Sequence, residues 1–495
     1  MAKYSYFVVT FSILPVIVIA GVVALALMSN KEAEPTDAEG LQKDYALYAE
    51  VRQKLLDHYD GDLDESELRN EALRGLASGT GDRYTRVLPP IQAQEQKRDL
   101  GGAFFGIGAY IDPNEDGSIR ISEPQPGGGA EEAGLLKDDV IVAVDGVSIL
   151  DQTYDSTVAR IKSDVEGSIV KLTVLRGGEP DNGTDPKAQR LDFSVKRGRV
   201  VIYSVHDVHL EERDGHRYGY LQVSDINANT YDEQFKPGVE ELTSKGAEGL
   251  IIDLRGNGGG RVSVAVAMID GLIKEPDALC VFTHSSRESN REMDAAYRTK
   301  DSESITDLPL VVLVDSGTAS AAEIITGALK DHGRAYIIGE RTYGKGIVQT
   351  IYKLKTDPNY TINITTTQYF TPLGRKVQDP AHSVFGGVTN DQLAIDLARW
   401  GHDHGNAQAY EFAQSILESD QSELGASSGA GGIQPDLVIH YREGEKARLH
   451  ARLRIRQARH NRDEIAKAST YWDYEDRMLN AALDLLNGKP VTIKD

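Results

Sequence analysis

The sequence predicts a mixed α/β domain preceded by a mostly-β module, with helical regions at both ends and a membrane-crossing apolar helix at the N-terminus. Three observations predict it. From about Val200 onward, apolar runs of strand length alternate with helical patterns. Residues 99–197 are glycine-rich and carry short runs of β character. Residues 41–98 and 443–495 place apolar residues at helical spacing among many charges.

The elements follow in order. Phe7–Met28 contains no charge and is long enough to cross about 30 Å of hydrocarbon. Lys3 precedes it, and Lys31, Glu32, Glu34, Asp37 and Glu39 follow, so the positive-inside rule puts everything after residue 30 outside the cytoplasm. The rival reading is a signal peptide cleaved after Ala24-Leu25-Ala26. The run is long for a signal, which favours an anchor in the inner membrane; on either reading the globular part is exported to the periplasm or its equivalent. Residues 30–40 read as an acidic linker. Leu41 opens a helix, and Asp64 and Glu65 begin a second.

Within 99–197 the strand signals are I-R-I-S, V-I-V-A-V-D-G, I-V-K-L-T-V-L-R and L-D-F-S-V, with one short helix at Tyr154–Lys162. The α/β region, 198–442, offers strands at Gly219–Val223, Gly249–Leu254, Leu310–Val314, Ala335–Ile338, Ile347–Tyr352 and Tyr360–Tyr369. Residues 380–430 interrupt this rhythm as an insertion ending in a flexible S-S-G-A-G-G loop.

Composition excludes several function classes. A net charge of −22, from 76 acidic and 54 basic residues, disfavours nucleic acid as a partner. The single cysteine, Cys280, excludes an intrachain disulfide and a cysteine-rich zinc site. No cofactor is expected. The segment Gly339–Gly346 nearly matches a phosphate loop, but Gly346 replaces the hydroxyl residue that would hold magnesium.

The chemistry concentrates on one serine and one lysine. Ser320 lies in D-S-G-T-A-S-A-A-E-I-I, between a buried strand and a helix of small apolar residues. Its hydroxyl would face unpartnered N–H groups at the helix start, a setting that stabilises an oxyanion. A serine needs a base, and a desolvated lysine can serve. Lys345, in G-E-R-T-Y-G-K-G-I-V-Q, is the candidate. Gln349 stands four residues on in a strand, hence on the same face, where it would hold the lysine amine. Glu323 would close a capping interaction with the Ser320 backbone N–H. L-I-I-D-L-R-G-N-G-G-G, 250–260, runs a buried strand into a glycine turn that can aim N–H groups into a cleft. No G-x-S-x-G motif occurs, and His332 lies some 16–18 Å along the helix from Ser320, too far for direct proton transfer.

Taken together these motifs resemble the C-terminal processing (tail-specific) proteases, serine peptidases with a Ser–Lys dyad and an embedded PDZ domain. The resemblance rests on F-G-I-G-A, the run P-G-G-G-A-E-E-A-G-L-L-K-D-D-V-I-V-A-V-D-G, D-L-R-G-N-G-G-G, S-G-T-A-S-A-A-E-I and G-K-G-I-V-Q, in the family's order. It implies a PDZ domain at 99–197 inserted before a protease core at 198–442. It implies Ser320 as nucleophile, Lys345 as general base and Gln349 as the residue orienting the lysine. The oxyanion hole would be the N–H groups of Ala321 and of a glycine in 258–260, Gly259 before the others. Gly106, Ile107 and Gly108 would hold the carboxylate of a bound tail. Asp331 matches an acidic residue that some members need for activity, with a structural role expected, and Arg176 a PDZ arginine that couples peptide binding to activation. The expected partners are protein or peptide substrates with free apolar C-termini, and the membrane; a second copy of the chain and an activating adaptor are compatible with it. One departure stands out: G-I-Q-P-D, 432–436, which in the family closely follows Y-F-T-P-L-G-R-K-V-Q, arrives here only after the insertion. The rival functions are a non-peptidase acyl hydrolase and an inactive PDZ scaffold. The presence of Ser320, Lys345 and Gln349 argues against the scaffold.

Overall fold

The computed structural model describes residues 38–150, 152–179, 184–285, 287–300, 304–379, 431–457 and 475–491. The expected transmembrane segment Phe7–Met28 and the 380–430 insertion lie outside these residues. No described helix is long and apolar enough to cross a membrane.

The chain forms two compact units, Met1–Leu73 and Arg74–Asp495. The first holds α1 (Ala38–His58), which leaves Tyr45, Leu47, Tyr48 and Val51 exposed, and the start of α2 (Glu65–Ser78). Asp64 accepts the N–H groups of Ser66 and Glu67, satisfying donors that the α2 helix leaves open.

The second unit opens with a correction. Residues 41–98 read as helical, but Arg86–Leu88 forms a strand, β1, paired antiparallel with residues 361–363. Pro89 and Pro90 end it and start α3 (Pro90–Gly101), with proline in the first helical turn, where its missing N–H costs nothing. β2 (Ala103–Gly106) leads into the β module. This comprises β3 (Ala109–Pro113), β4 (Ile119–Pro124), α4 (Gly129–Glu132), β5 (Val140–Val144), β6 (Val147–Ser148), α5 (Tyr154–Ile161), β7 (Ile169–Arg176) and β8 (Gln189–Lys196). The sheet order is β3-β4-β5-β7-β8, with β6 on β5. Ile119, Ile121, Ile141, Val170, Leu172, Val174 and Val195 turn inward onto Ile161 of α5, the period-two pattern of a sheet buried on one face. β9 (Gly198–Val201) pairs back onto β2, so the chain enters and leaves the module through one two-stranded ribbon.

The α/β part follows: β10 (Val205–Arg213), β11 (His216–Val223), α6 (Lys236–Ser244), β12 (Leu250–Asp253), α7 (Val262–Leu272), β13 (Leu279–His284), β14 (Ala295–Arg298), β15 (Leu310–Val314), α8 (Ala321–Asp331), β16 (Ala335–Gly339), β17 (Ile347–Lys353), β18 (Thr361–Phe370), β19 (Leu437–Val438), α9 (Glu445–Gln457) and α10 (Arg477–Leu486). The main sheet runs β10-β11-β12-β15-β16-β19, parallel from β11 onward with β10 antiparallel at its edge. Ile252, Val312 and Val314 face Leu242, Ile269 and Ile325 of α6, α7 and α8. Ile251, Val311 and Leu313 face Met478, Ala482 and Leu483 of α10. Burial on both faces explains why these strands read as unbroken apolar runs. A second sheet, β1-β18-β13-β14 with β17 on β18, packs beside it. The carboxyl ends of β12 and β15 lie next to each other, where open α/β sheets place their sites.

Candidate active site

Ser320 caps α8 directly after the β15 turn, and its backbone is strained: φ is 55° and ψ −120°, a left-side conformation that a residue with a Cβ avoids. Such a residue costs roughly 1–3 kcal/mol and persists only where its surroundings hold it. Here they do. The Ser320 N–H donates to the Glu323 carboxylate at 2.8 Å, and its carbonyl accepts the Tyr369 hydroxyl at 3.0 Å. One residue earlier, the Ala319 N–H donates to the Asn257 carbonyl at 2.8 Å, and the Thr318 hydroxyl to Leu254 at 2.8 Å.

Glu323 does more than cap the helix. Its fully buried carboxylate also accepts the Thr342 hydroxyl at 2.5 Å, the Gly344 N–H at 2.7 Å and the Lys345 N–H at 2.8 Å. One side chain therefore ties the Ser320 backbone to the Lys345 backbone. Burial pushes its pKa up, while the donors from Thr342, Gly344, Lys345 and Ser320 favour the charged form.

Lys345 is largely enclosed. Burial and then the Arg86 charge hold its amine below the ordinary lysine value, against Glu323 and Asp82, which raise it. The amine lies 5.1 Å from the centre of the Tyr84 ring. The Gln349 amide N–H donates to the Tyr84 carbonyl at 2.5 Å, and no described hydrogen bond joins Gln349 to the lysine amine. The physical reason is that β17 starts only at Ile347, so Lys345 precedes the strand. The same-face argument from Lys345 to Gln349 presumed one strand running through both residues. Tyr84 thus meets both residues, its carbonyl on Gln349 and its ring beside the Lys345 amine.

Sequence reasoning missed Tyr84 and its support. Asp82, buried, accepts the N–H groups of Tyr84 at 3.0 Å and Thr85 at 3.1 Å, and the hydroxyls of Thr85 at 2.7 Å and Thr365 at 2.6 Å. It fixes the segment before β1 against β18. The signal was G-D-R-Y-T-R-V-L: a turn residue ahead of an aromatic and β-branched run, lodged within an otherwise helical stretch.

On the other side of Ser320, Gly259 comes so close that a Cβ there would sit 2.7 Å from the Ala319 carbonyl and 2.8 Å from the Ser320 Cβ. Its φ of 100° also demands glycine. The Gly259 N–H, expected to face the oxyanion, donates instead to the Asn257 side chain at 2.8 Å. Asn257 is buried and in turn donates to the Val223 carbonyl at 2.9 Å, so a side chain fixes the glycine turn from within. Ala321 is buried at the first helical position, and among the described backbone hydrogen bonds none uses its N–H.

The remaining residues fall into two groups. Asp331 accepts the Leu373 N–H and the Arg375 guanidinium, both at 2.9 Å, and the Thr371 hydroxyl; it anchors the turn after β18. Arg176 forks onto the buried Asp139 with two bonds of 2.7 Å, reaches the Gly134 carbonyl at 2.8 Å and lies over the Phe193 ring, all within the β module. In the loop of Gly106, Ile107 and Gly108, the Ile107 carbonyl accepts the Ala130 N–H at 2.6 Å and the Gly108 carbonyl the Gln125 N–H at 2.8 Å. Those carbonyls turn inward. β3, just after this loop, is the outer strand of its sheet. The hydroxyl of Tyr154, the first residue of α5, donates to the β3 carbonyl of Ile111 at 3.4 Å. A cavity of about 350 Å³ opens beside it, between Pro113–Ser118 and Gln152–Tyr154.

Residues 217–393 match the profile of Peptidase family S41, and residues 95–175 match the PDZ domain. The carboxyl-terminal-processing protease of Picosynechococcus sp. is 32% identical over 378 residues, 75% of this chain and 84% of that one. The chain belongs to the carboxyl-terminal-processing proteases. It is a serine-type peptidase of family S41 with a PDZ domain. The carboxy-terminal processing protease CtpA of Bacillus subtilis is 30% identical over 366 residues, 74% of this chain and 73% of its own. Among solved structures, the photosystem II D1 C-terminal processing protease aligns over 79% of this chain and 86% of its own at 25% identity, with a TM-score of 0.38. Among the described residues of this protease, no group of three or more His, Cys, Asp or Glu is placed to hold a metal ion.

Proposed function

We propose that this protease captures the free apolar C-terminal tail of a protein substrate in its PDZ domain, residues 99–197, and cuts the chain at Ser320. The observation that carries this reading is the Glu323 carboxylate, which supports both the Ser320 and the Lys345 backbones. Lys345, unprotonated, takes the proton from the Ser320 hydroxyl. The serine oxygen attacks the peptide carbonyl, and the Ala321 N–H, at the positive end of α8, faces the charge that develops. The leaving amine takes the proton back from Lys345, and water then releases the acyl group from Ser320. The depressed lysine pKa supports the role of base, because it raises the unprotonated fraction near neutral pH. Gln349 acts through Tyr84, holding the backbone carbonyl of the residue whose ring flanks the amine. Arg176 supports the PDZ fold through Asp139.

A tail would add as a strand along β3, its carboxylate meeting the N–H groups of the Gly106–Gly108 loop. Phe7–Met28 would anchor the protein in the inner membrane with its catalytic part in the periplasm or an equivalent exported space; an N-terminus mapped just after Ala26 in the mature protein would refute the anchor.

The test of the whole reading is direct. The purified protein is incubated with an unfolded protein ending in apolar residues, and the cuts are read by mass spectrometry. The wild type should cut it, while Ser320→Ala and Lys345→Ala should be inert yet folded. Amidating the substrate's C-terminus should weaken cleavage. Cleavage by Ser320→Ala at the wild-type rate would remove the site assignment, and cleavage indifferent to amidation would remove the tail.

A further inference from the structure

The two loops that carry the site are held from behind by residues far along the chain. Arg255, fully buried, opens the glycine turn. It forks onto Asp253, with bonds of 2.6 to 3.0 Å, and onto Asp476, with bonds of 2.8 and 2.9 Å. Asp476 is itself the N-cap of α10, accepting the Leu479 N–H at 3.1 Å. The Asp315 carboxylate does the matching work between the loops. One of its oxygens accepts the Gly256 N–H of the glycine turn at 2.9 Å and the Gly317 N–H of the serine turn at 2.8 Å. Its other oxygen accepts the Tyr441 hydroxyl at 3.3 Å and lies 3.7 Å from the Lys446 amine, which also donates to the Ser316 hydroxyl.

We infer that Tyr441, Lys446 and Asp476 are positioning residues for the reaction at Ser320, acting as a clamp that sets the glycine turn against the serine turn. The inference rests on the assignment of Ser320 as the nucleophile. None of the three reaches the reacting atoms. Each acts through a buried carboxylate or guanidinium that reaches one or both turns. The geometry demands such a device. Gly259 packs against the Ser320 Cβ and the Ala319 carbonyl with no room to spare, so a small shift of one turn displaces the other. Misplacing reacting groups by about 1 Å costs on the order of a hundredfold in rate. A buried guanidinium that loses one of two carboxylates has the freedom to make such a shift.

The experiment uses the full-length protein and a fluorogenic peptide with a free apolar C-terminus. The kcat and KM are measured for wild type, Asp476→Asn, the double variant Tyr441→Phe with Lys446→Met, and Lys446→Arg. The folded fraction at assay temperature is read by circular dichroism, and kcat is expressed per folded molecule. Asp476→Asn should lose roughly 10–100-fold in kcat, with KM within about twofold of wild type, because binding of the tail is untouched. The double variant should lose roughly 3–30-fold with the same split, and Lys446→Arg, which keeps the charge, should stay near wild type. Values of kcat per folded molecule within about twofold of wild type in the first two variants would overturn the clamp and leave the site assignment standing. Should Asp476→Asn fail to fold, the double variant decides alone, since it removes one hydroxyl and one surface amine. Should Ser320→Ala cleave as well as wild type, the site assignment fails and the clamp falls with it.

Discussion

Replacing Glu323 with glutamine removes one charge from the centre of the site and leaves its shape. The carboxylate accepts four donors: the N–H groups of Ser320, Gly344 and Lys345, and the Thr342 hydroxyl. A glutamine amide offers one oxygen and one NH₂. With the NH₂ placed toward Thr342, whose hydroxyl can turn to accept, the Gly344 N–H is stranded; placed the other way, two N–H groups are. Hydrogen bonds to a charged group are worth about 1.5–3 kcal/mol, and a buried orphan donor costs about 1–3. A neutral amide is cheaper to bury than a carboxylate, which offsets part of this. The expected loss is about 2–4 kcal/mol of stability. The loss in kcat is on the order of a hundredfold, since the Ser320 and Lys345 backbones lose their common anchor. The pH profile carries the sharper signature. Activity requires unprotonated Lys345 and therefore rises with pH through the lysine's pKa. Burial and Arg86 depress that pKa, while Glu323 raises it, so removing the Glu323 charge moves the rise to lower pH. The assay is kcat from about pH 6 to 10, beside a thermal melt. A profile that stays in place or moves to higher pH, or a kcat within twofold of wild type, would refute the reasoning.

Three further outcomes follow from the geometry. Ser320→Gly should abolish cleavage and raise stability by about 1–3 kcal/mol, because glycine adopts φ 55° without strain; a lower melting temperature would contradict the strain. Gly259→Ala should cut kcat sharply, since its Cβ would meet the Ala319 carbonyl and the Ser320 Cβ below 3 Å, and wild-type activity would show that the turn gives way freely. Tyr154→Phe frees the Ile111 carbonyl for an incoming strand and should tighten binding of a free-acid tail peptide by about 2–10-fold in calorimetry; unchanged affinity would mean that the hydroxyl guards nothing.

The sequence displayed the backbone of this site more clearly than its wiring. The run L-V-V-L-V, the small residues after Ser320 and the glycines after Arg255 each have a local cause, and each is where its pattern put it. Glu323 three residues after Ser320 is likewise a local pattern, and its contact with the serine N–H is present. Its reach to Lys345 depends on a loop returning beside the helix, which no periodicity encodes. Gln349 illustrates the limit from the other side: the strand begins only after Lys345, and Gln349 bonds Tyr84. Asn257 claims the Gly259 N–H because a side chain two residues away competes for a donor that glycine spacing alone leaves open. The link from Arg255 to Asp476 spans 221 positions and reads, in sequence, as two unrelated charges.

The tyrosine across the β module bears on more than catalysis. A strand with an unpaired edge will add another strand from whatever chain offers one, and soluble proteins commonly blunt such edges with charge, proline or a covering element. β3 holds a single charge, Asp112, tied to Arg120 of β4, and meets proline only at its last residue, Pro113. A hydroxyl borrowed from the neighbouring helix covers one carbonyl with a bond of 3.4 Å, long enough to yield to a well-placed tail and present enough to deter a casual one. A protease tuned for tighter capture by removing that hydroxyl would therefore also become stickier toward unfolded chains in general, and selectivity among tails would erode as affinity rose.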